Sequence, residues 1–178
     1  GPNGAGKSTL MRLVAGEIEP QEGSVELLET NLRDWNPRDL ARTRAKLSQE
    51  SSLTFSFRVR EVVEMGRFPH DGPTKDTIID ACMERVGIGS LADRDYLSLS
   101  GGEKQRVHMA RVLAQLTESE PRPKLLLLDE PTSALDLHHQ EVALALASRL
   151  CQESAHGVLV ILHDLNLAAA WADRILLL

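Results

Sequence analysis

The first residues form a glycine-rich loop of a type that binds phosphate groups. Residues 1–8 read Gly-Pro-Asn-Gly-Ala-Gly-Lys-Ser and fit the pattern G-x-x-x-x-G-K-[ST] at every fixed position. The glycines let the backbone curl so that successive N–H groups point at phosphate oxygens, and the following helix adds its positive end. Lys7 can bridge β- and γ-phosphates, Ser8 can ligate Mg²⁺, and Thr9 is placed to donate to the α-phosphate. The alternative is a glycine-rich turn with an incidental lysine. The predicted nucleotide-binding residues are Gly1, Pro2, Asn3, Gly4, Ala5, Gly6, Lys7, Ser8 and Thr9.

Two adjacent carboxylates follow the apolar run at residues 125–128, which is four leucines long. A continuous apolar run is typical of a strand buried on both faces, and ligands of open parallel sheets bind at the carboxyl ends of such strands. Asp129 is predicted to hold Mg²⁺, mainly through its water, together with Ser8. Glu130 could orient and deprotonate an attacking water. The alternative is a strand that simply ends in a polar Asp-Glu-Pro turn.

A third motif identifies a family. Residues 99–106 read Leu-Ser-Gly-Gly-Glu-Lys-Gln-Arg. Ser100 and the amides of Gly101 and Gly102 make a second helix start that suits an anion. With this signature the sequence resembles the ABC ATPases, and the resemblance covers the whole chain. It implies that the signature residues engage the γ-phosphate of ATP held by a second copy of the chain. They are Ser100, Gly101, Gly102 and Glu103.

Three further residues match the family's motifs in order along the chain. The resemblance implies that Gln49 senses Mg²⁺ and the nucleophilic water, and that it is a Mg²⁺ ligand. Asp136 matches the D-loop. His163, after an apolar strand, matches the switch histidine that contacts the γ-phosphate. A lone histidine after a strand is more often structural, but five motifs in the family's order favour the catalytic interpretation. The predicted catalytic residues are Glu130, His163 and Gln49.

The amino-acid sequence at residues 57–67 and 163–168 is similar to that of the importer ATPases for iron chelates, haem and vitamin B12. It is most similar to the haem importers. The resemblance implies a homodimeric ATPase, peripheral on the cytoplasmic face of the bacterial inner membrane. Its partners would be membrane permease subunits and, indirectly, a periplasmic binding protein. Ferric-siderophore or vitamin B12 import remains an alternative cargo, and a soluble regulatory ABC ATPase without a permease remains an alternative class. A signal-transducing GTPase is excluded because the signature has no role there.

Alternating helices and strands along the chain are needed to position these motifs. Apolar spacing predicts helices at residues 7–15, 40–47, 59–66, 74–86, 102–116, 138–150 and 165–171, and strands at 23–27, 125–128, 157–162 and 175–178. Alternation of this kind implies an α/β fold with a parallel sheet. The resemblance specifies a RecA-like P-loop core with an inserted ABC helical subdomain. Residues 1–49 form the first part of the ATPase core, 50–100 the helical subdomain with the signature at its end, and 101–178 the second part of the core.

The segment 51–70 follows Gln49 directly and is the candidate permease-docking face. Five of its apolar residues could line a groove for a permease helix, although we expect at least two of them to pack the helical subdomain instead. They are Phe55, Phe57, Val59, Val62 and Met65. Nothing in this segment is interpreted as a haem ligand, His70 included.

Composition excludes some functions. The formal charge is −6, which disfavours a general nucleic-acid-binding surface. Cys82 and Cys151 are far apart and lack metal-ligand spacing, so we expect reduced cysteines. No apolar run is long enough to span a bilayer. Because the chain begins within the glycine loop and stops within a predicted strand, we interpret it as truncated at both ends.

Overall fold

The computed structural model describes residues 4–48, 53, 55–117, 123–130, 144–149, 151–152 and 156–178. Its centre is a three-stranded parallel sheet in the order β3-β4-β5, formed by Arg44–Leu47, Leu125–Asp129 and Gly157–Ile161. Leu47 pairs with Leu128, and Asp129 pairs with Ile161. The middle strand is buried, as its run of leucines predicts. The predicted parallel α/β architecture is therefore confirmed.

The helices surround this sheet, and most begin where the sequence predicts. The described helical elements are α1 (Lys7–Val14), α2 (Pro37–Thr43), α3 (Val59–Glu64), α4 (Asp76–Arg85), α5 (Gly101–Leu116), α6 (residues 144–149) and α7 (Leu165–Trp171). Short 3₁₀ turns follow α3 at Met65–Arg67 and precede α5 at Tyr96–Ser98. The first six residues of the helix predicted at 138–150 lie outside the described residues.

The sequence prediction was wrong at residues 40–47. The helix ends at Thr43, and the last four residues are strand β3. Alternate residues Ala45 and Leu47 are buried, which is the period of a strand with one face on a core. The backbone of β3 pairs along its whole length with β4, a segment about 80 residues away in sequence, so tertiary pairing overrides the local helical pattern.

Two predicted strands also differ. Of residues 23–27 only Glu26–Leu27 (β1) is a strand, and it forms an antiparallel hairpin with Thr30–Asn31 (β2) through a turn in which both central residues have positive φ. Residues 175–178 form no strand, and their side chains are exposed. In the described sheet β5 pairs only with β4, and residues 175–178 pair with none of the three strands.

The apolar core joins the helical segment to the sheet. Helix α5 packs against α3 and α4 on one side and against β3 on the other. The largest fully buried members of this cluster are Tyr96, Ile79, Met83, Ile88, Leu126, Leu128, Val59, Val62, Val63 and Val107. The core therefore fixes α5, and with it the signature residues, against both layers.

In the described parts of the chain, none of the helices has both the length and the apolarity that crossing a membrane requires.

Candidate functional site

The carboxyl ends of β4 and β5 bring two of the predicted catalytic residues into contact. Glu130 comes directly after β4, and His163 comes two residues after the end of β5. His163 Nε2 and Glu130 Oε1 are 2.6 Å apart. The side chain of Glu130 is 19% exposed and that of His163 is 49% exposed, so the pair faces outward from the sheet edge. The arrangement joins a carboxylate to an imidazole at a position that a ligand can reach.

Glu130 adopts a backbone conformation that is unusual for a residue with a Cβ atom. Its φ is +49°, in the left-handed region. Such a conformation costs about 1–3 kcal/mol for a non-glycine residue and persists only where the surroundings impose it. The turn directs the Glu130 side chain toward His163 instead of continuing the line of β4. Local strain at this position therefore accompanies the contact between the two side chains.

Asp129 lies in an environment rich in negative charge. Burial is the main reason that its pKa is raised above the ordinary value; the positive charge of Lys46 lowers it, and the carboxylates of Glu130 and Glu17 raise it. Lys46 lies on the adjacent strand, and its ammonium contacts a carboxylate oxygen of Glu17 at 2.7 Å. Glu17 also contacts the Arg12 guanidinium at 3.7 Å. Burial and the neighbouring carboxylates thus disfavour the charged form of Asp129, which a bound cation would stabilise.

This donor set fits Mg²⁺ bound together with a nucleotide. Mg²⁺ typically takes one or two protein ligands and fills its remaining positions with water and phosphate oxygens. Asp129 supplies a carboxylate at the strand end, and the Ser8 side chain is exposed on the first turn of α1. Among the described residues there is no cluster of three or more His, Cys, Asp or Glu suited to a metal, so an all-protein metal cage is not indicated there. Gln49, the other predicted Mg²⁺ ligand, lies outside the described residues.

The glycine loop has the backbone that its sequence predicts. Gly4 has φ +83° and Gly6 has φ +94°, both in the left-handed region. A Cβ atom built on either glycine meets no atom within 4 Å, so the space beside the loop is open. Gly6 is the N-cap of α1, and its carbonyl accepts the Leu10 N–H at 2.8 Å. Lys7 is half-buried, while Ser8 and Thr9 are exposed. Ala5 is half-buried within the loop, and residues 1–3 lie outside the described part of the chain.

The signature residues form the start of α5 through a capping box. The N–H of Glu103 donates to the Ser100 hydroxyl at 3.3 Å, and the N–H of Ser100 donates to a Glu103 carboxylate oxygen at 2.8 Å. This backbone hydrogen bond is the main cause of the lowered pKa of Glu103, and Arg94 also contributes. The Ser100 side chain is thus hydrogen-bonded within the turn, both to the Glu103 N–H and to the Glu103 carboxylate. A Cβ atom built on Gly101 meets nothing within 4 Å, so an anion could approach the backbone closely.

Some functional features were not predicted. Lys46 acts on Asp129 because β3 lies beside β4, and residues 44–47 were predicted to be helical. The effect of Glu17 on Asp129 was not predicted either. The Lys104 side chain, which follows the signature glutamate, is half-buried, with its ammonium 5.4 Å from the centre of the Tyr96 ring. Asp136, the predicted D-loop residue, lies outside the described residues.

A cavity of about 760 Å³ lies between α1, α6, β5 and α7. Lys7 forms part of its wall, which otherwise consists mainly of apolar residues of β5 and α7 and of residues 172–178. Asp129, Glu130 and His163 are not among the described residues that line it. The contact between Glu130 and His163 therefore lies outside the described lining of this cavity.

The chain is similar to known proteins over its whole length. The ABC transporter family matches residues 1–133. The chain is 49% identical over 178 residues to the hemin import ATP-binding protein HmuV of Escherichia coli O157:H7, covering all of this chain and 70% of that protein. It is 53% identical over 183 residues to HmuV of Gloeobacter violaceus, covering all of this chain and 66% of that protein. The chain thus spans about two thirds of the length of these relatives.

A solved structure has the same fold. The dimeric structure of MJ0796, a bacterial ABC transporter cassette, superposes with a TM-score of 0.79 at 28% identity. The match covers 94% of this chain and 74% of that chain.

Proposed function

Because this chain belongs to the ABC transporter family, we propose that it binds and hydrolyses ATP as the ATP-binding subunit of a haem importer. The contact between Glu130 and His163 beside Asp129 is the structural observation that carries the hydrolytic part. The two hemin import relatives, which match the chain over its whole length, support the cargo.

Some of the site residues would bind the phosphates of ATP, and others would transfer a proton during hydrolysis. The glycine loop and the first turn of α1 present N–H groups to the phosphates, and Lys7 neutralises charge on the β- and γ-phosphates. Glu130 orients a water molecule and accepts its proton as the water oxygen bonds to the γ-phosphorus. The bond from that phosphorus to the bridging oxygen of ADP breaks, which yields ADP and phosphate. His163 holds the Glu130 carboxylate through its 2.6 Å contact, and in the ATP-bound state it would donate to a γ-phosphate oxygen.

Mg²⁺ is the proposed cofactor, with Asp129, Ser8 and Gln49 as the residues that would hold it. When bound, it would supply positive charge to the β- and γ-phosphates. Burial is the main cause of the raised pKa of Asp129, and the Glu130 and Glu17 carboxylates add to it, so a bound cation would stabilise the charged form. Binding of Mg²⁺–ATP should therefore depend strongly on the Asp129 charge, and equilibrium binding to Asp129→Asn measures this dependence.

We propose that two copies act together. In each site the glycine loop of one copy would face the exposed Ser100 and Gly101 of the other, with Gly102 and Glu103 completing the signature turn. An isologous two-fold interface forms both sites at once. The dimeric bacterial cassette, which is similar over nearly the whole chain, supports this arrangement. ATP would hold the dimer closed, and hydrolysis would release it.

The proposed permease-docking face is the exposed part of residues 51–70. Val59 and Val62 are fully buried and pack the helical core, as we expect for at least two of the five apolar residues. Phe55, in contrast, is 74% exposed, and Phe68 is 77% exposed. Two exposed aromatic side chains beside the helical core suit an apolar face of a permease helix. The subunit would then lie on the cytoplasmic face of the inner membrane, with the periplasmic binding protein acting through the permease.

The docking proposal is tested by serine substitutions in the complete protein. Phe55→Ser and Phe68→Ser should reduce co-purification with the permease and leave the unstimulated ATPase rate unchanged. Leu28→Ser is the matched control, because Leu28 is an exposed apolar residue on the β1–β2 hairpin. Equal retention of the permease by all three variants would contradict this face. Absence of any permease from the wild-type preparation would favour the soluble regulatory ABC ATPase.

The cargo is tested with the reconstituted transporter and its binding protein. Haem should stimulate ATP hydrolysis in this system. A ferric siderophore and vitamin B12 are the comparison cargoes, and stimulation by either of them without stimulation by haem would move the assignment to that cargo.

A further inference from the structure

Tyr96, four residues before the signature serine, is held by two residues of the signature helix. It is buried, with 2% of its surface exposed. Its hydroxyl lies 2.7 Å from His108 Nε2, and the two rings meet edge to face. The Lys104 ammonium lies over the Tyr96 ring, 5.4 Å from its centre, within cation–π range. His108 and Lys104 both belong to α5, the helix that Ser100 caps.

The contact between Tyr96 and His108 makes the chain between them, which includes Ser100, a closed loop. The N–H of Leu99 donates to the Tyr96 carbonyl at 3.2 Å, and the N–H of Lys104 donates to the Ser100 carbonyl at 2.9 Å. The hydroxyl–imidazole contact of Tyr96 and His108 then joins the two ends of this stretch. The position of Ser100 relative to α5 is therefore defined through the backbone and, independently, through the Tyr96 side chain.

The same turn is tied to the segment that carries the exposed Phe55. The N–H of Tyr96 donates to the Phe57 carbonyl at 2.8 Å, and the Ser56 hydroxyl donates to an Asp95 carboxylate oxygen at 2.8 Å. Arg58 and Asp95 form an antiparallel bridge. Tyr96 thus lies between the proposed docking face and the signature turn.

We propose that Tyr96 is a positioning residue that holds Ser100 and the first amides of α5 in the orientation in which they bind the γ-phosphate presented by a second copy of the chain. The inference rests on the proposed function, because Ser100 acts only in an ATP-bound dimer. The Ser100 side chain accepts the Glu103 N–H and is also hydrogen-bonded to the Glu103 carboxylate, so the direction of its hydroxyl follows the first turn of α5. Loss of the Tyr96 hydroxyl should weaken the ATP-bound dimer and leave ATP binding by the glycine loop intact.

The experiment uses the complete protein with Glu130→Gln, which slows hydrolysis so that the ATP-bound dimer can be measured by analytical ultracentrifugation. Tyr96→Phe keeps the ring beneath Lys104 and removes only the hydroxyl. We expect its dimer dissociation constant to rise about two- to tenfold, the range for one lost hydrogen bond. The affinity of the monomer for ATP should not change, and this second measurement also shows that the variant is folded.

Thr117→Val is the matched control. It removes a hydroxyl that donates to the Leu113 carbonyl at 2.8 Å, at the opposite end of α5. It should leave the dimer constant unchanged. His108→Gln, whose amide can still bond the tyrosine hydroxyl, should retain the dimer, whereas His108→Ala should weaken it as Tyr96→Phe does.

An unchanged dimer constant in Tyr96→Phe would overturn the positioning role, and so would an equal weakening in Thr117→Val, since this would indicate a general effect on helix stability. Failure of the Glu130→Gln parent to bind ATP and dimerise would instead overturn the proposed function, and this inference with it. Measuring ATP binding and dimerisation of the Glu130→Gln protein without a second substitution distinguishes the two failures.

Discussion

Replacing Glu130 with glutamine tests the proposed general base with little disturbance of the fold. Both residues carry a Cβ atom, so the strain of the left-handed φ is the same, and the amide oxygen can still accept a hydrogen bond from His163. The substitution removes the proton-accepting carboxylate. Loss of a general base lowers turnover about 10²–10⁴-fold, which corresponds to about 3–5 kcal/mol of activation free energy. We expect the free energy of unfolding to change by less than about 1 kcal/mol.

Nucleotide binding should respond in the opposite direction. The Glu130 charge raises the pKa of Asp129, so its removal lowers that pKa and relieves the repulsion between the two carboxylates. Binding of Mg²⁺–ATP should therefore be retained or become tighter in Glu130→Gln. Asp129→Asn is the isosteric control, and its binding should weaken.

The assay is steady-state phosphate release by the complete protein, combined with equilibrium binding of Mg²⁺–ATP. A variant that hydrolyses ATP at nearly the wild-type rate would refute the assignment of Glu130 as the base. Loss of ATP binding equal to that of Asp129→Asn would show that Glu130 is a binding residue instead.

Three further predictions concern other parts of the site. Because the pKa of Asp129 is raised, the metal-free protein should lose stability as pH rises from about 3.8 through the folded-state pKa. Asp129→Asn should lack this loss when the free energy of unfolding is measured against pH. Lys7→Ala mixed with Ser100→Arg should leave at most one intact composite site per heterodimer, and an ATPase rate per chain that is indifferent to dilution would contradict the need for two copies. Gly66→Ala should destabilise the fold by about 1–3 kcal/mol, because its Cβ would clash with the backbone of α5, whereas Gly101→Ala should lower turnover without changing thermal stability.

The sequence predictions agree with the structure where an element is determined by residues close to it in sequence. The capping box between Ser100 and Glu103 starts α5 where the signature begins, and a left-handed glycine at position 6 starts α1. The apolar run before Asp129 forms the buried middle strand. In each case neighbours within a few residues supply the hydrogen bonds or the burial pattern that defines the element. The family motifs extend this local information to Glu130 and His163, whose roles remain predictions.

The sequence by itself determined the family, the α/β class and the residues that could bind phosphate and move a proton, because these depend on residue types at short spacings. Tertiary structure alone decided that residues 44–47 are a strand, since their partner β4 is about 80 positions away. It also decided that Lys46 reaches the neighbourhood of Asp129 and that His163 contacts Glu130 across 33 residues. Residues 175–178 carry a strand-like pattern without a paired strand in the described sheet. A strand needs hydrogen bonds from a distant segment, and a pKa depends on charges that only folding brings together, so neither can be read from local sequence.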